Sequence, residues 1–233
     1  MNFADYKSIT IPEGEVTKIA AGGVVLWEKA SALPSAYQQV EWVEAAFGVG
    51  AYLNLGFSFD TAAIIKLGFY IENVNPTYIF GAAESSGKYR CMISAPYNGA
   101  ATAFVYGSSG SSYITTAAKL VQNGYNELEY TIKSGLLKAR NITNGSTNQV
   151  TNNVAFAMTS NLYLFAQNYN GSTRYGDMRK ISYFEYYDKN DTLICSLLPC
   201  YRKSDGVIGM YDTVRKQFLT NVGSGSFTKG ADV

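Results

Sequence analysis

The chain has 233 residues and a formal net charge of +1, from 19 basic and 18 acidic side chains. Charged residues make up only 16% of it, against the ~25% typical of globular domains. No basic run exists to neutralise phosphates, so the composition argues against nucleic acid as a partner. Histidine is absent. Its absence removes the serine–histidine and cysteine–histidine nucleophile pairs and the usual zinc ligands.

The N-terminus, MNFADYKSIT, lacks the basic start and long apolar block of a signal peptide. No run of 18 apolar residues occurs, so the sequence predicts no membrane-spanning helix and no membrane insertion. We therefore expect the chain to be made and folded in a cytoplasm.

Residues 1–29 look separate from the rest of the chain. Two short alternating stretches surround Gly22 and Gly23, a pair that suits a hairpin turn. A ribbon of about 30 residues cannot bury a stable core alone, so we expect it to dock elsewhere as an attachment or oligomerisation module. The alternative is an ordinary first hairpin of the main domain. The candidate assembly residues are Ile9, Ile11, Ile19, Val25 and Trp27.

Residues 30–39 are small and polar and contain Pro34, so they are interpreted as a linker. From residue 40 to 233 the chain consists of short predicted strands separated by turns. In YNELEYTIK, Leu128, Tyr130 and Ile132 share one face, which is typical of a half-buried strand. The predicted main domain is an all-β antiparallel sandwich or jelly roll of roughly a dozen strands.

The cysteines are Cys91, Cys195 and Cys200, and their odd number argues against a complete disulfide framework. Cys195 and Cys200 would point to opposite faces of an extended strand and could pair only if the chain bent sharply. We expect buried free thiols.

Two stretches resemble one known family. The first, LPSAYQQVEWVEAAFGVGAYLNLGF (33–57), resembles the opening of concanavalin A-like, laminin-G-like lectin/glucanase jelly-roll domains in phage and prophage tail- or fibre-type proteins. The second, residues 197–230, resembles their closing segment. The N-terminal ribbon is also similar to short modules that precede such domains. The positions that carry the first resemblance are Leu33, Pro34, Tyr37, Val40, Glu41, Trp42, Glu44, Asn54 and Gly56.

The resemblance implies a non-enzymatic virion appendage, either a tail, a fibre or a receptor-contact component, located in the virion. Its N-terminal module would contact other virion proteins, and a homo-oligomer is expected, with a trimer favoured. Its jelly roll would present loops to a bacterial surface glycan or a protein. Two alternatives remain: a purely structural decoration protein with no soluble ligand, and a glycan-cleaving hydrolase.

The closing segment is interpreted as structural. Asp205 and Gly206 predict a sharp turn, Ile208 and Met210 are expected to face inward, and Gly209 would let a neighbouring backbone approach closely. We expect the end of the chain to pair beside the start of the domain. The alternative is a binding triplet formed by Arg202, Lys203 and Asp205.

Three loop regions combine aromatic rings, which pack on sugar faces, with groups that bond sugar hydroxyls. The region 167–178 is the preferred candidate because it holds both chemistries within a dozen residues. The alternative is that these are polar turns. The candidate glycan-binding residues are Tyr97, Asn98, Tyr113, Asn168, Tyr169, Asn170, Arg174, Tyr175 and Asp177.

A glycoside hydrolase needs two carboxylates flanking the scissile bond. The sequence contains no Glu-x-Asp, and the odd spacing within Glu41/Glu44 and Glu185/Asp188 would separate each pair onto opposite strand faces. No dense acidic cluster indicates a hard cation. We therefore predict no catalytic residues, no cofactor and no obligatory metal.

Overall fold

The structure is a computed structural model that describes residues 9–11, 14–16, 18–21, 24–28, 33–45, 50–71, 77–84, 89–97, 100–106, 113–154, 156–174 and 180–233. The chain divides into two compact units, Met1–Pro34 and Ser35–Val233. Every regular element in the described ranges is a β-strand. Accordingly, no helix in them has the length and apolar character needed to cross a bilayer.

The first unit contains two antiparallel pairs. Strand β1 (Ile9–Ile11) pairs with β2 (Gly14–Val16), and β3 (Lys18–Ala21) pairs with β4 (Val24–Glu28). Because Ala21 lies opposite Val24, the hairpin predicted at this point is confirmed. The five assembly candidates lie on these strands, and their side chains fall outside the described part.

The second unit has 19 strands in its described part, more than the dozen predicted. They are β5 (Tyr37–Gln39), β6 (Val43–Ala45), β7 (Leu53–Asp60), β8 (Ala63–Tyr70), β9 (Thr77–Ala83), β10 (Arg90–Tyr97), β11 (Ala100–Tyr106), β12 (Tyr113–Lys119), β13 (Tyr125–Lys133), β14 (Leu136–Asn141), β15 (Thr147–Val150), β16 (Ala157–Leu164), β17 (Gln167–Tyr169), β18 (Ser172–Arg174), β19 (Lys180–Tyr187), β20 (Leu193–Arg202), β21 (Ile208–Asp212), β22 (Gln217–Thr220) and β23 (Phe227–Lys229).

The surplus strands are short and lack an apolar alternation. The exposed β15, with the sequence TNQV, is an example. Strand β5 corrects the predicted linker: residues 37–39 pair with residues 200–202 of β20 instead of forming an unpaired connection. The wider assignment of 30–39 as a linker stays a prediction.

The strands form two sheets in the second unit. The smaller sheet has the order β12-β11-β10-β9-β16-β7, and β17 joins it through β9 and carries β18. The larger sheet has the order β15-β14-β13-β8-β19-β20-β21-β22, with β5 on β20, β6 on β19 and β23 on β6. The chain crosses between the sheets after β6, β7, β8, β12, β15 and β18. This crossing pattern confirms the predicted all-β jelly-roll sandwich.

The core lies between the two sheets. The inward residues predicted on β13, Leu128, Tyr130 and Ile132, are buried. Phe80 of the smaller sheet packs on Phe184 of the larger one, with ring centroids 5.3 Å apart. Aromatic contacts of this kind hold the two inner faces together.

The closing segment folds as predicted. Gly206 adopts a φ of +71°, which the turn requires. A Cβ at Gly209 would collide with the Leu219 carbonyl, so the strands could not approach each other as they do. Strand β23 then pairs with β6, and Asp232 bridges to Val40 beside the start of the domain.

A buried ion pair fixes this segment to the opposite sheet. Asp212 is fully buried, and its Oδ1 accepts hydrogen bonds from the backbone amides of Val214 at 2.9 Å and Arg215 at 3.1 Å. Its Oδ2 accepts one from Arg215 Nε. Arg215 Nη1 in turn donates to the Leu55 carbonyl of β7 at 2.6 Å. One side-chain pair thus joins the β21–β22 hairpin of the larger sheet to the smaller sheet.

The alternative binding triplet is partly accounted for by the same turn chemistry. Arg202 and Asp205 form an ion pair across the Gly206 turn at 2.6 Å, and both side chains are exposed. The charges of Arg202 and Asp205 are therefore already paired with each other.

The three cysteines are free and buried, as predicted. Burial raises the pKa of all three thiols, that of Cys200 to about 12. The sulfurs therefore stay protonated and pack as small apolar groups.

Replacing Asp212 with Asn should lower the free energy of unfolding by about 2–4 kcal/mol, because Arg215 loses its charged partner at a largely buried site. Urea denaturation followed by tryptophan fluorescence measures this loss. Asp205→Asn is the matched control, since Arg202 lies at the same spacing but the pair is exposed. Equal losses of stability in the two variants would contradict the proposed role of the Asp212–Arg215 pair in holding the two sheets together.

The Asp212 contribution should also depend on pH. Burial acts to raise its pKa, but the hydrogen bonds from Arg215 and backbone amides outweigh burial and lower it. A carboxyl with a lowered folded pKa stabilises the fold above its unfolded pKa of ~3.9, and this stability is lost as the pH falls through the folded value. The stability difference between the wild type and Asp212→Asn should therefore be full at pH 6 and shrink below about pH 4. Urea titrations across this range check it, and a constant difference would contradict it.

Candidate functional site

The preferred loop region contains a tight hairpin at one side of the smaller sheet. Tyr169 of β17 lies opposite Ser172 of β18, and only Asn170 and Gly171 connect them. Both connecting residues have positive φ, +50° and +85°. Asn-Gly is the pair that a two-residue turn of this kind prefers, so the local sequence dictates this hairpin.

Asn168 positions the hairpin. Its side chain is buried, Nδ2 donates to the Asn161 carbonyl at 2.7 Å, and Oδ1 accepts from the Gly171 amide at 2.8 Å. The Asn170 amide also donates to the Ala83 carbonyl of β9 at 3.0 Å. Both ends of the Asn168 amide group are therefore engaged within the fold, and we revise its role from ligand contact to support of the turn.

Tyr169 and Arg174 form a stacked pair on this hairpin. The Arg174 guanidinium carbon lies 3.3 Å from the centroid of the Tyr169 ring. Because Tyr169 is opposite Ser172, Arg174 is its diagonal neighbour two residues further along the partner strand, a spacing within reach of long side chains. Arg174 and Asn170 are exposed, and Tyr169 is half-buried. The stack fixes a guanidinium that would otherwise sample many rotamers.

Glu84, at the end of β9, directly follows Ala83, whose carbonyl accepts the Asn170 amide of the hairpin. Glu84 Oε1 accepts hydrogen bonds from the Thr159 amide at 2.6 Å and from its hydroxyl at 2.8 Å. These bonds, the backbone bond first, lower the pKa of Glu84 despite partial burial. Glu84 is therefore ionised at neutral pH, and its carboxylate is bonded to Thr159 of β16.

The structure brings together three of the nine predicted glycan-binding residues at the surface: Tyr169, Asn170 and Arg174. Tyr97 and Tyr113 lie on strands β10 and β12, but their side chains are outside the described part. Asn98, Tyr175 and Asp177 fall outside it as well. The glycan-binding assignment stays a prediction for these five residues and for Tyr169, Asn170 and Arg174.

Two of the carboxylates considered for hydrolysis, Glu185 and Asp188, accept hydrogen bonds from groups within the fold. Glu185 accepts a hydrogen bond from the Tyr187 hydroxyl at 2.8 Å. Asp188 Oδ1 accepts the amides of Thr192 at 3.0 Å and Asn190 at 2.9 Å, and these bonds lower its pKa. A glycosidase general acid needs a raised pKa instead.

A small depression of about 110 Å³ lies beside Asp188, lined also by Asp60, Tyr186 and Lys189. Asp60 pairs with Lys189 at 2.8 Å across it. Among the described residues, no group of three or more acidic or cysteine side chains is arranged to hold a metal ion.

The sequence reasoning missed an aromatic surface on the other sheet. The half-buried Tyr125 of β13 and Tyr183 and Tyr187 of β19 point outward, with Tyr70 of β8 between the two strands. The signal was present in the alternation of YNELEYTIK and of ISYFEYYD, where tyrosine and glutamate share the outer face. What the sequence did not give is that β13 and β19 both pair with β8.

No protein-family model and no curated protein sequence matches the chain. Among solved structures, it is similar to the CBM40 domain of a Ruminococcus gnavus IT-sialidase bound to alpha2,3 sialyllactose, with 11% identity and a TM-score of 0.45 over 65% of this chain and 91% of that one. It is similar to a heptameric SAP-like pentraxin from Limulus polyphemus, with 10% identity and a TM-score of 0.46 over 70% and 79%.

The chain is also similar to full-length tailspike protein 2 from Escherichia coli O157:H7 bacteriophage CAB120, with 10% identity and a TM-score of 0.40. That match covers 68% of this chain and 27% of the tailspike. Likenesses at such identities and scores do not establish a family or a shared function.

Asn168→Ala should lower the free energy of unfolding by about 1–2 kcal/mol, because it leaves the Asn161 carbonyl and the Gly171 amide without their partner. Asn170→Gly is the matched control and should be nearly neutral, since glycine accepts the same positive φ. Urea denaturation of both variants measures the difference. An Asn168 variant as stable as the wild type would contradict the supporting role.

Proposed function

We propose that the chain is a non-enzymatic component of a phage or prophage particle, a tail, fibre or receptor-contact protein, whose jelly roll binds a bacterial surface glycan. The observation that carries the recognition part is the Tyr169–Arg174 stack on the anchored β17–β18 hairpin. The resemblance of residues 33–57 and 197–230 to phage and prophage domains supports the particle as its setting.

The stack determines which group meets a ligand. One face of the Tyr169 ring is already covered by the guanidinium, 3.3 Å away. Arg174 therefore presents its own plane and its N–H donors, while the exposed Asn170 adds an amide at the turn. Guanidinium donors in a fixed fork suit vicinal hydroxyls and carboxylates, which are the polar groups of sugars.

The N-terminal residues 1–29 would attach the chain to other virion proteins and bring copies together, with a trimer favoured. The four strands described there form two-stranded sheets, which are marginal on their own. Several copies on one particle would raise the avidity of a shallow, exposed site. Several copies acting together would let a particle attach to a cell surface, even if each hairpin binds its glycan through few contacts.

Arg174→Ala should weaken binding to bacterial surface polysaccharide by roughly 10-fold or more, because a charged hydrogen-bond donor is lost. The full chain is tested on an array of purified lipopolysaccharides and capsular polysaccharides. Arg202→Ala is the matched control: Arg202 also lies on a hairpin near an aromatic ring, 5.6 Å from the Phe218 centroid, but on the larger sheet. Its binding should be unchanged.

Three results would contradict the proposal. Unchanged binding by a folded Arg174 variant would remove the hairpin as the site. A wild-type chain that binds no polysaccharide on the array would favour the purely structural decoration protein. Release of reducing ends from any polysaccharide would show a hydrolase.

A further inference from the structure

We propose that the outward face of β13, β8 and β19 is a second carbohydrate-binding surface, for a neutral glycan chain. We call it the tyrosine face. It lies on the larger sheet, whereas the β17–β18 hairpin belongs to the smaller one. The two proposals rest on different residues, so either can fail alone.

The register brings tyrosine and glutamate side chains from the three strands together on this face. Tyr125, Tyr70 and Lys180 form the first row across the three strands, and Glu127, Gly68 and Tyr183 form the second. Glu129, Lys66 and Glu185 form the third row, and Tyr187 stands in the fourth. Rows on one face of a strand repeat every ~7 Å. Tyrosine rings and carboxylate oxygens thus lie side by side over four successive rows of this face.

Gly68 makes this arrangement possible. A Cβ at this position would collide with the Tyr125 hydroxyl, the Ser182 hydroxyl and the Tyr183 ring. Those groups occupy the space above the bare backbone of residue 68. Glycine weakens a strand interior, and its usual reason there is the close approach of another group. Here it lets two tyrosines from different strands converge.

Two carboxylates of the face are held in place by tyrosine hydroxyls. Tyr183 donates to Glu127 Oε1 at 2.8 Å, and Tyr187 donates to Glu185 Oε2 at 2.8 Å. Burial, followed by the bond to Glu185, raises the pKa of Tyr187 to about 12, so its hydroxyl stays a donor. An ionised carboxylate offers about four acceptor positions. Each glutamate therefore keeps capacity for sugar hydroxyls while its geometry is fixed in advance.

The charge of the face selects the class of ligand. Its three carboxylates, Glu127, Glu129 and Glu185, are balanced by three ammonium groups, those of Lys66, Lys133 and Lys180. All three lysines are engaged: Lys66 lies 4.0 Å from Glu129, Lys133 pairs with Asp191 at 2.7 Å, and Lys180 lies 4.7 Å from the Trp42 ring centroid. A face without net charge gives an anionic glycan or a nucleic acid no electrostatic advantage over an uncharged ligand.

A protein partner fits this surface less well than a glycan. The cores of protein interfaces are depleted in lysine and glutamate, whereas the centre of the tyrosine face holds Lys66, Glu129 and Glu185. Tyr70 is 37% exposed at its edge. Aromatic rings interleaved with hydrogen-bonded carboxylates match an uncharged ligand rich in hydroxyls and with apolar ring faces.

Saturation-transfer difference NMR on the full chain tests this proposal, with maltotriose, cellotriose and mannotriose as neutral probes and trigalacturonate as the anionic one. We expect transfer to at least one neutral trisaccharide. In a Tyr70→Ala/Tyr125→Ala double variant, the affinity of the protein for that trisaccharide should fall roughly fivefold or more, because two stacking rings are lost. The same fall should occur when the two tyrosines are replaced in an Arg174→Ala background, where binding at the hairpin is weakened, which separates the tyrosine face from the hairpin.

A second variant protects the test against misfolding. Tyr183→Phe keeps the ring and removes the hydroxyl that orients Glu127, and it should weaken the same binding about threefold or more. Melting curves establish that each variant is folded. The proposal is overturned if no neutral trisaccharide receives saturation, if folded Tyr70/Tyr125 and Tyr183 variants bind as well as the wild type, or if trigalacturonate binds more tightly than every neutral probe.

Discussion

The arrangement of the sandwich depends on one buried carboxylate. Asp212 is excluded from solvent, and an ionised carboxylate in that position is tolerated only if its oxygens are bonded. The turn after β21 supplies backbone amides, and Arg215 supplies the countercharge. From this position Arg215 reaches the Leu55 carbonyl at 2.6 Å. The need to satisfy Asp212 therefore fixes where the closing hairpin stands relative to the smaller sheet.

The same rule acts where the chain passes from the smaller sheet to the larger one. Asn126 and Asn141 are fully buried and bond each other at 2.8 Å. Asn141 also donates to the Lys119 carbonyl at the end of β12, and Asn126 donates to the Val121 carbonyl. Asn168 does comparable work beneath the β17–β18 hairpin. Buried polar side chains thus fix the strand ends. Nearby surface side chains are therefore not needed for this purpose and can differ in chemistry.

The two proposed binding surfaces do differ in chemistry. The hairpin presents a guanidinium stacked on a ring, which favours hydroxyl pairs and carboxylates. The tyrosine face has no net charge and holds two carboxylates whose orientation is set by tyrosine hydroxyls, which favours uncharged sugars. A chain with both could discriminate among surface glycans by the charge of their residues. Specificity then comes from the difference between the affinities of a glycan for the two surfaces.

The sequence by itself determined the local features. The alternation of Leu128, Tyr130 and Ile132 assigned inner and outer faces, because successive side chains of a strand point to opposite sides. Gly206 and Gly209 marked the closing turn and the close strand approach, because only glycine meets those steric demands without strain.

Only the tertiary structure decided which strands are neighbours. Tyr125 and Tyr183 are 58 positions apart, yet both flank Gly68 through separate strand pairings. Likewise, the sequence suggested that Asn168 contacts a ligand, whereas the pairing of β17 with β9 places its side chain inside the fold. Strand pairing is a long-range choice made by burial of whole faces, and no local pattern encodes the partner. The positions of individual rings and turns were therefore legible in the sequence, while the surfaces they build were not.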